Sequence, residues 1–387
     1  TDTTRHADVL LPAAAWGEKD GTVTNSERRI SRQRPFRRPP GEAWPDWRIV
    51  AEVARRMGHG DAFAFASPAA VFRDHAALSA FENDGGRAFD LGGLGGIDDI
   101  SYDRLAPVHW PIRDDGDGRM FADRRFFTSD GRARFVATPA AAAPAPQPEF
   151  PLVLNTGRAR DHWHTMTRTG SSPRLSGHAP EPYAEIHPRD AEARGIAAAT
   201  LVEVRSPLGR IVGRAWINEG QRAGSVFVPM HWTDQYAGAG RVDALVEARA
   251  DPVSGQPALK STLVEVRPFA AAWHGFAVLR DLPESIAADY WALACAVDGW
   301  RLELAGVRAP DDWTAWARSL VPTAGEGDIL AYHDAATDRH RFAVFDGDRL
   351  VGAIFVSREP PTLGRAFLAE GLSAAYVLPA DRLRLLA

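Results

Sequence analysis

Residues 150–170, FPLVLNTGRARDHWHTMTRTG, decide how the rest of the chain is read. The apolar run from Leu152 to Leu154 closes on Asn155-Thr156-Gly157, the pattern of a short buried strand that leaves its sheet through a turn. The loop that follows places Arg158, Arg160 and Arg168, His162 and His164, Trp163 and, counting Thr156, four threonines in one stretch. Backbone N–H groups and forked guanidinium donors arranged in succession are what pyrophosphate oxygens require. Trp163 and the imidazoles can stack on, or hydrogen-bond to, a flat heterocycle beside those phosphates. Residue chemistry alone fits two readings equally: an anion cradle, or a polar loop whose arginines face water.

Working outward, residues 199–217, ATLVEVRSPLGRIVGRAWI, alternate apolar and polar residues about Ser206-Pro207-Leu208-Gly209 and predict a β-hairpin. Two more strand-like runs follow at 224–232 and 261–269, and residues 187–196 predict a short helix closed by Gly195. Residues 150–269 therefore read as a strand-rich domain. Upstream, the Pro/Ala stretch from Ala137 to Pro151 has little to bury and reads as a spacer, hence a domain boundary. Before it, Trp47 to Met57 is an amphipathic helix ended by Gly58, Asn83 to Gly118 is Gly- and Asp-rich loop, and Pro12 ends a strand formed by the apolar run from Ala7. After Phe269 the spacing turns helical, over Ser285 to Val297 and again over Asp311 to Val321. It then returns to strands over 328–357 with a tight turn at Asp346-Gly347-Asp348, so a small α+β module is expected from 270 to the end.

With 387 residues, 45% of them hydrophobic and 25% charged, the chain holds enough apolar surface for two or three packed domains. A net charge of −5 gives no overall field for nucleic acid or an anionic membrane, and the basic run Arg28 to Arg38 reads as a local surface. No stretch reaches the roughly 18–20 apolar residues of a membrane span. Cys295 is the only cysteine, so neither a disulfide framework, nor a Cys₄ iron–sulfur centre, nor a structural zinc site can be built from this chain. LGGLGGIDDI at 91–100 lacks the preceding strand of a dinucleotide fingerprint, no serine sits in a GxSxG elbow, and His162 and His164 lack zinc-hydrolase spacing. No protein-built metal site is expected. Only Lys19 and Lys260 among 45 basic residues are lysines, which singles both out.

Two separated stretches, ADVLLPAAAWGEKDGTVTNSERRI at 7–30 and the loop with its downstream EPYAEIHPRDAEARGIAAATLVEVRSPLGRI and GSVFVPMHW, occur in the order found in molybdopterin-dinucleotide oxidoreductases. The chain resembles the C-terminal part of that family. YDRLAPVHWP, RMFADRRFFTSDGRARFV and WHGFAVLR are similar to its bacterial assimilatory nitrate reductase branch in particular. The resemblance implies a multidomain α+β or α/β protein. Residues 1–149 would be the tail of a central α/β domain, 150–269 a β-barrel-like, double-psi type cofactor domain, and 270–387 the small terminal module.

It also implies a cofactor, molybdenum bis(molybdopterin guanine dinucleotide), and a site for it in this stretch. Thr156, Gly157, Arg158, Ala159, Arg160, Asp161, His162, Trp163, His164 and Thr165 would form the dinucleotide loop, with Arg158 and Arg160 near phosphate or guanine groups. Lys19, Asp46 and Lys260 would approach the cofactor as well, the alternative for Lys19 and Asp46 being an exposed charge pair. Asp243 stands where the family carries Asn; a carboxylate can accept from a guanine N–H but repels phosphate. Met230 and His231 would face the substrate channel or simply pack at a strand end, and Asn25, Glu27 and Arg28 would brace a nearby loop.

The implied reaction is cytoplasmic, assimilatory reduction of nitrate to nitrite, with electrons from a donor protein or reductase subunit. The molybdenum ligand and a 4Fe-4S centre would lie in a preceding N-terminal half, so this stretch holds no catalytic residue and is inactive alone. Formate dehydrogenase, periplasmic-type nitrate reductase and a non-catalytic accessory module with the same barrel remain as alternatives.

Overall fold

A computed structural model of the chain describes residues 2–112, 119–137, 144–321 and 329–386. It divides into two compact units, Thr1–Ala140 and Ala141–Ala387.

In the first unit, β1 (Gly21–Thr24) and β2 (Arg29–Gln33) form an antiparallel hairpin, and β3 (Val108–His109) pairs with the other edge of β2. Helices α1 (Asp46–Arg56), α2 (Pro68–Ala80) and α3 (Asp99–Asp103) complete it. α1 is the expected amphipathic helix, and the chain leaves it through Gly58 at φ +92°. α2 starts at Ser67, whose hydroxyl accepts from the Ala70 N–H, with Pro68 in its first turn where no N–H is needed. Ile30, Phe72, Ala76, Leu91 and Tyr102 form the core.

Two expectations need correction here. No strand precedes Pro12: the run from Ala7 makes only one bridge, Ala13 to Trp44, and Val9, Leu10 and Leu11 are exposed. A strand needs a neighbour along its length to satisfy its backbone, and among the described residues this run meets one only at that single bridge. The stretch expected as loop from Asn83 contains α3 and β3, while residues 113–118 lie outside the described residues. The glycine run at 92–96 folds as a 3₁₀ turn over Gly92–Leu94 beside an antiparallel sheet, which agrees with rejecting a dinucleotide fingerprint there.

The second unit opens with a closed six-stranded barrel. Its strands are β4 (Leu152–Gly157), β5 (Tyr183–Ile186), β6 (Leu201–Arg205), β7 (Arg210–Ile217), β8 (Ser225–Pro229) and β9 (Thr262–Pro268), in the order β4-β8-β5-β7-β6-β9. Short helices α4 (Pro173–Ser176) and α5 (Pro188–Glu192) lie in its connections. Gly195, at φ +62°, follows α5 as expected. The predicted hairpin is β6–β7. The pentapeptide LVEVR occurs in both β6 and β9, and the two copies pair antiparallel with Val204 opposite Val266. Alternate residues of all six strands, among them Leu154, Ile186, Val204, Ile211, Val226 and Val266, fill the barrel interior.

Two pairs, β4–β8 and β5–β7, are parallel and the other contacts are antiparallel. Strand direction then fixes one functional end. The C-terminal ends of β4 and β8, the β6–β7 turn and the start of β9 all emerge together. β4 and β5, and likewise β8 and β9, run in opposite directions but are not neighbours, so the chain must pass over an intervening strand and spends residues 158–182 between β4 and β5, and 230–261 between β8 and β9, at that end.

Beyond the barrel lies a six-stranded antiparallel sheet of β10 (Trp273–Leu279), β11 (Tyr290–Ala296), β12 (Gly299–Gly306), β13 (Ile329–Asp334), β14 (Arg339–Asp346) and β15 (Arg349–Ser357), in the order β11-β12-β10-β15-β14-β13. α6 (Trp313–Ser319) covers part of it, and α7 (Arg365–Glu370) and α8 (Pro379–Arg384) follow β15. The 346–348 turn is as expected, with Gly347 at φ +56°. The helix expected over Ser285 to Val297 is instead strand β11. Tyr290, Ala292, Leu293, Ala294 and Ala296 are all buried, and a strand covered on both faces reads as a continuous apolar run whose periodicity does not separate it from a buried helix. No helix among the described residues is long and apolar enough to cross a membrane.

Candidate functional site

The loop after β4 is held by groups that strand polarity delivers to the same end. His231, two residues beyond β8, is completely buried. Its Nε2 accepts from the Ala159 N–H at 2.8 Å and its Nδ1–H donates to the His164 carbonyl at 2.7 Å, so one ring clamps both arms of the loop. Those two bonds require the neutral Nδ1–H tautomer. Burial pushes its pKa below the ordinary imidazole value, and the nearby positive charge of Arg158 adds to this.

His162, also buried, is fixed in the opposite sense. Its Nε2–H donates to the Ala179 carbonyl at 3.1 Å, leaving Nδ1 to accept from the Thr169 hydroxyl at 3.3 Å. The rings of His162, His231 and Trp232 pack at 5.6–6.2 Å between centroids. Between these anchors, His164 and Met166 take left-handed backbone values, φ +45° and +57°, which cost non-glycine residues on the order of 1 kcal/mol each. The His231 bond to His164 and the burial of the Met166 side chain hold them there.

Above this buried layer the loop is open. Trp163 is 59% exposed, and the Arg158 guanidinium lies 4.8 Å from its ring centroid. Among the described residues Arg158 has no ion-pair partner. Arg160 differs: it forks onto Asp161, with contacts of 2.9–3.2 Å, and His178 Nδ1 reaches the same carboxylate at 3.0 Å. The Arg160 guanidinium, with His178 behind it, holds the Asp161 carboxyl below its usual range. His164, Thr165, Thr167 and Arg168 are exposed.

The other expected residues fall as follows. Lys260, just before β9, donates to Asn155 Oδ1 at 2.9 Å and to the Thr156 carbonyl, which places an exposed ammonium at the root of the loop; Thr156 itself is buried and donates its hydroxyl to the Leu259 carbonyl. Gly157 lies against Phe227, whose ring would be 2.9 Å from a Cβ. Asp243 is exposed in a 3₁₀ turn over Val242–Leu245 that packs on Gly209 of the β6–β7 turn, at the same end of the barrel. Met230 is half-buried against the barrel core. His231, with both ring nitrogens committed to the loop, presents nothing to a channel in this structure.

Lys19 and Asp46 lie in the first unit, where they form an ion pair with each other and the Lys19 ammonium sits 5.7 Å from the Trp16 ring centroid. Asn25 accepts from the N–H groups of Glu27 and Arg29 and so braces the β1–β2 turn, and Arg28 donates to the Trp110 carbonyl. Groups that the sequence reading missed include His178, Glu181 and Tyr236. His178 lies in the same β4–β5 connection as the loop, which was the one available signal. Among the described residues no cluster of His, Cys, Asp and Glu is suited to a metal ion.

Comparison with known families agrees with this geometry. The family described as Molydopterin dinucleotide binding domain matches residues 152–263, which is the barrel through the start of β9, and the family Molybdopterin oxidoreductase matches residues 1–56. The chain thus contains a molybdopterin dinucleotide-binding domain and a segment of the molybdopterin oxidoreductase domain. It is 47% identical over 320 residues to a nitrate reductase of Klebsiella oxytoca, covering 81% of this chain and 36% of the relative. It is 33% identical over 277 residues to the assimilatory nitrate reductase catalytic subunit of Bacillus subtilis, covering 69% and 37%. The F420-dependent formate dehydrogenase subunit alpha of Methanocaldococcus jannaschii is also 33% identical, covering 69% and 37%. The chain thus spans little more than a third of the length of these relatives. Among solved structures, acetylene hydratase from Pelobacter acetylenicus shares the fold with a TM-score of 0.54 at 19% identity, over 70% of this chain and 39% of that one.

Proposed function

We propose that residues Thr156–Thr165 hold the dinucleotide portion of a molybdenum bis(molybdopterin guanine dinucleotide) cofactor. The observation that carries this reading is Arg158: an arginine with no carboxylate partner among the described residues, laid over an exposed indole, at the barrel end where β4, β8 and β9 converge. A guanidinium supplies paired donors to phosphate, an open indole face takes a flat ring, and the hydroxyl of Thr165 offers a further donor. Lys260 adds positive charge at the loop root, and Asp243 would accept from a guanine N–H. Arg160 contributes through whichever donors its pairing with Asp161 leaves outward. Bound there, the cofactor supplies the redox chemistry, and this chain supplies binding, orientation and the electrostatic setting.

On this reading residues 1–149 end a larger α/β domain, 150–269 are the dinucleotide barrel and 270–387 are a separate module. The whole protein is then an assimilatory, cytoplasmic nitrate reductase that draws electrons from a donor protein through a 4Fe-4S centre. The nitrate reductase of Klebsiella oxytoca, at 47% identity, favours nitrate over formate, for which the formate dehydrogenase relative stands at 33%.

The test uses the full-length protein. Molybdenum and guanine nucleotide are measured after denaturation, and nitrate and formate turnover are compared. Nitrate turnover with stoichiometric guanine nucleotide is expected, and Arg158→Ala should lower nucleotide content several-fold, as loss of charge-assisted bonds would. Unchanged content and turnover in that variant would remove Arg158 from the site; formate turnover in place of nitrate would move the protein to the other branch.

A further inference from the structure

The edge strand β11 of the six-stranded sheet is not left open. Its outer side is paired by the connection that follows β8. The Leu293 N–H donates to the Tyr236 carbonyl at 2.8 Å, Ala237 bridges antiparallel to Ala292, and the Gly238 N–H donates to the Trp291 carbonyl at 3.1 Å. The approach leaves no room for a side chain, because a Cβ on Gly238 would lie 2.3 Å from the Trp291 indole nitrogen. Tyr236, so held, lies directly under the β4–β5 connection, where a Cβ on Gly170 would fall 2.6 Å from its ring.

A second tie joins the same two parts. Tyr290, at the start of β11, is fully buried, and its hydroxyl donates to Glu181 Oε2 at 2.6 Å. Glu181 ends the β4–β5 connection and also receives Arg214 of β7 at 2.7 and 3.1 Å. A buried phenol placed against a carboxylate titrates far above its ordinary range, so this donor keeps its proton at any working pH. Met166, Trp232, Tyr236 and Tyr290 share one hydrophobic core.

We infer that the six-stranded sheet, through β11, sets the shape of the β4–β5 connection that carries the dinucleotide loop, with Tyr290 and Glu181 as positioning residues that act through Tyr236 and the loop backbone. What the loop holds rests on the function proposed above; the mechanical tie does not. The sheet then supports the loop that forms the site.

The experiment compares the full-length wild type with Tyr290→Phe, Glu181→Gln and Glu181→Ala. It uses Tyr332→Phe on the opposite edge strand as a control. Amide hydrogen exchange over residues 158–182, the rate of guanine-nucleotide release and the melting temperature are measured together. Tyr290→Phe and Glu181→Ala should speed exchange in that segment by about tenfold, the scale of one hydrogen bond to a charged group, and should speed nucleotide release in step. Glu181→Gln, which keeps an acceptor for the phenol, should recover part of both effects, and the control should change neither. A lowered melting temperature with unchanged release would make the contact merely structural and overturn the inference, as would unchanged exchange in both disruptive variants. If Tyr290→Phe does not fold, the Glu181 pair decides the question by the same criteria. Absence of guanine nucleotide from the wild type would refute the cofactor reading alone, since the exchange data still report on the tie.

Discussion

The barrel and the sheet of the second unit are built from similar residues and do different work. In the sheet every neighbouring pair is antiparallel, hairpin connections such as the one at Gly347 are short, and the inner strands β10, β14 and β15 are buried on both faces. In the barrel, strands consecutive in the chain are not always neighbours: β4 is followed by β5 across β8, and β8 by β9 across β4, so both connections are long. Those connections carry Arg158, Trp163, His231, Asp243 and Lys260. The site thus follows from strand order: the loops are long because they cross an intervening strand, and their length makes room for chemistry.

The comparison can be broken by substitution. The largest effect is expected in the sheet. Phe276 is fully buried on the face covered by α7, and Phe276→Ala should cost about 4 kcal/mol in denaturant unfolding. Because β12 stands between it and β11, and the cluster it packs in contains neither Tyr236 nor Tyr290, it should leave guanine-nucleotide release from the folded protein unchanged; a matching rise in release would mean that the whole sheet, and not its edge, governs the loop. His231→Ala comes next. Removing the clamp strands the Ala159 N–H and the His164 carbonyl and opens a buried cavity, for a loss of about 2–3 kcal/mol. Protease cleavage between residues 158 and 169 should rise and nucleotide content should fall.

Acid sharpens the same point. His231 has a folded pKa below its unfolded value near 6.5, so its contribution is complete above that pH and is lost as pH falls beneath it towards the folded value. A protonated ring would set Nε2–H against the Ala159 N–H. Loop cleavage should therefore increase as pH falls below about 6.5, and His231→Ala should abolish that dependence. The smallest effect belongs to the first unit. Lys19 and Asp46 form a partly exposed pair, and Lys19→Met should change stability by less than about 1 kcal/mol. Any larger loss of nucleotide in that variant would show that the lysine serves the cofactor and not its ion-pair partner.

Much of the site was legible as a list and little of it as an arrangement. The loop from Thr156 to Thr165 announced itself by composition, and the β6–β7 hairpin by its alternation and turn. Nothing in the order of residues marked His231 as the clamp, because its two bonds reach residues 72 and 67 positions away. Arg158 and Arg160 looked equivalent until Asp161 was seen to occupy only one of them. β11 was misread because Ala-rich burial on both faces erases the period that separates strand from helix. Its contacts with Tyr236 and Glu181 were hidden by the same error.

The amino-acid sequence by itself determined which segments could pair, where turns had to fall, and that one loop carried an unusual density of guanidinium, imidazole and indole groups. Those are local properties, fixed by side-chain chemistry and spacing. The tertiary structure alone decided which arginine of the loop pairs with a carboxylate, which tautomers His162 and His231 adopt, and that an edge strand more than a hundred residues downstream supports the loop. Each of these depends on contacts between segments whose separation along the chain carries no record of their distance in space.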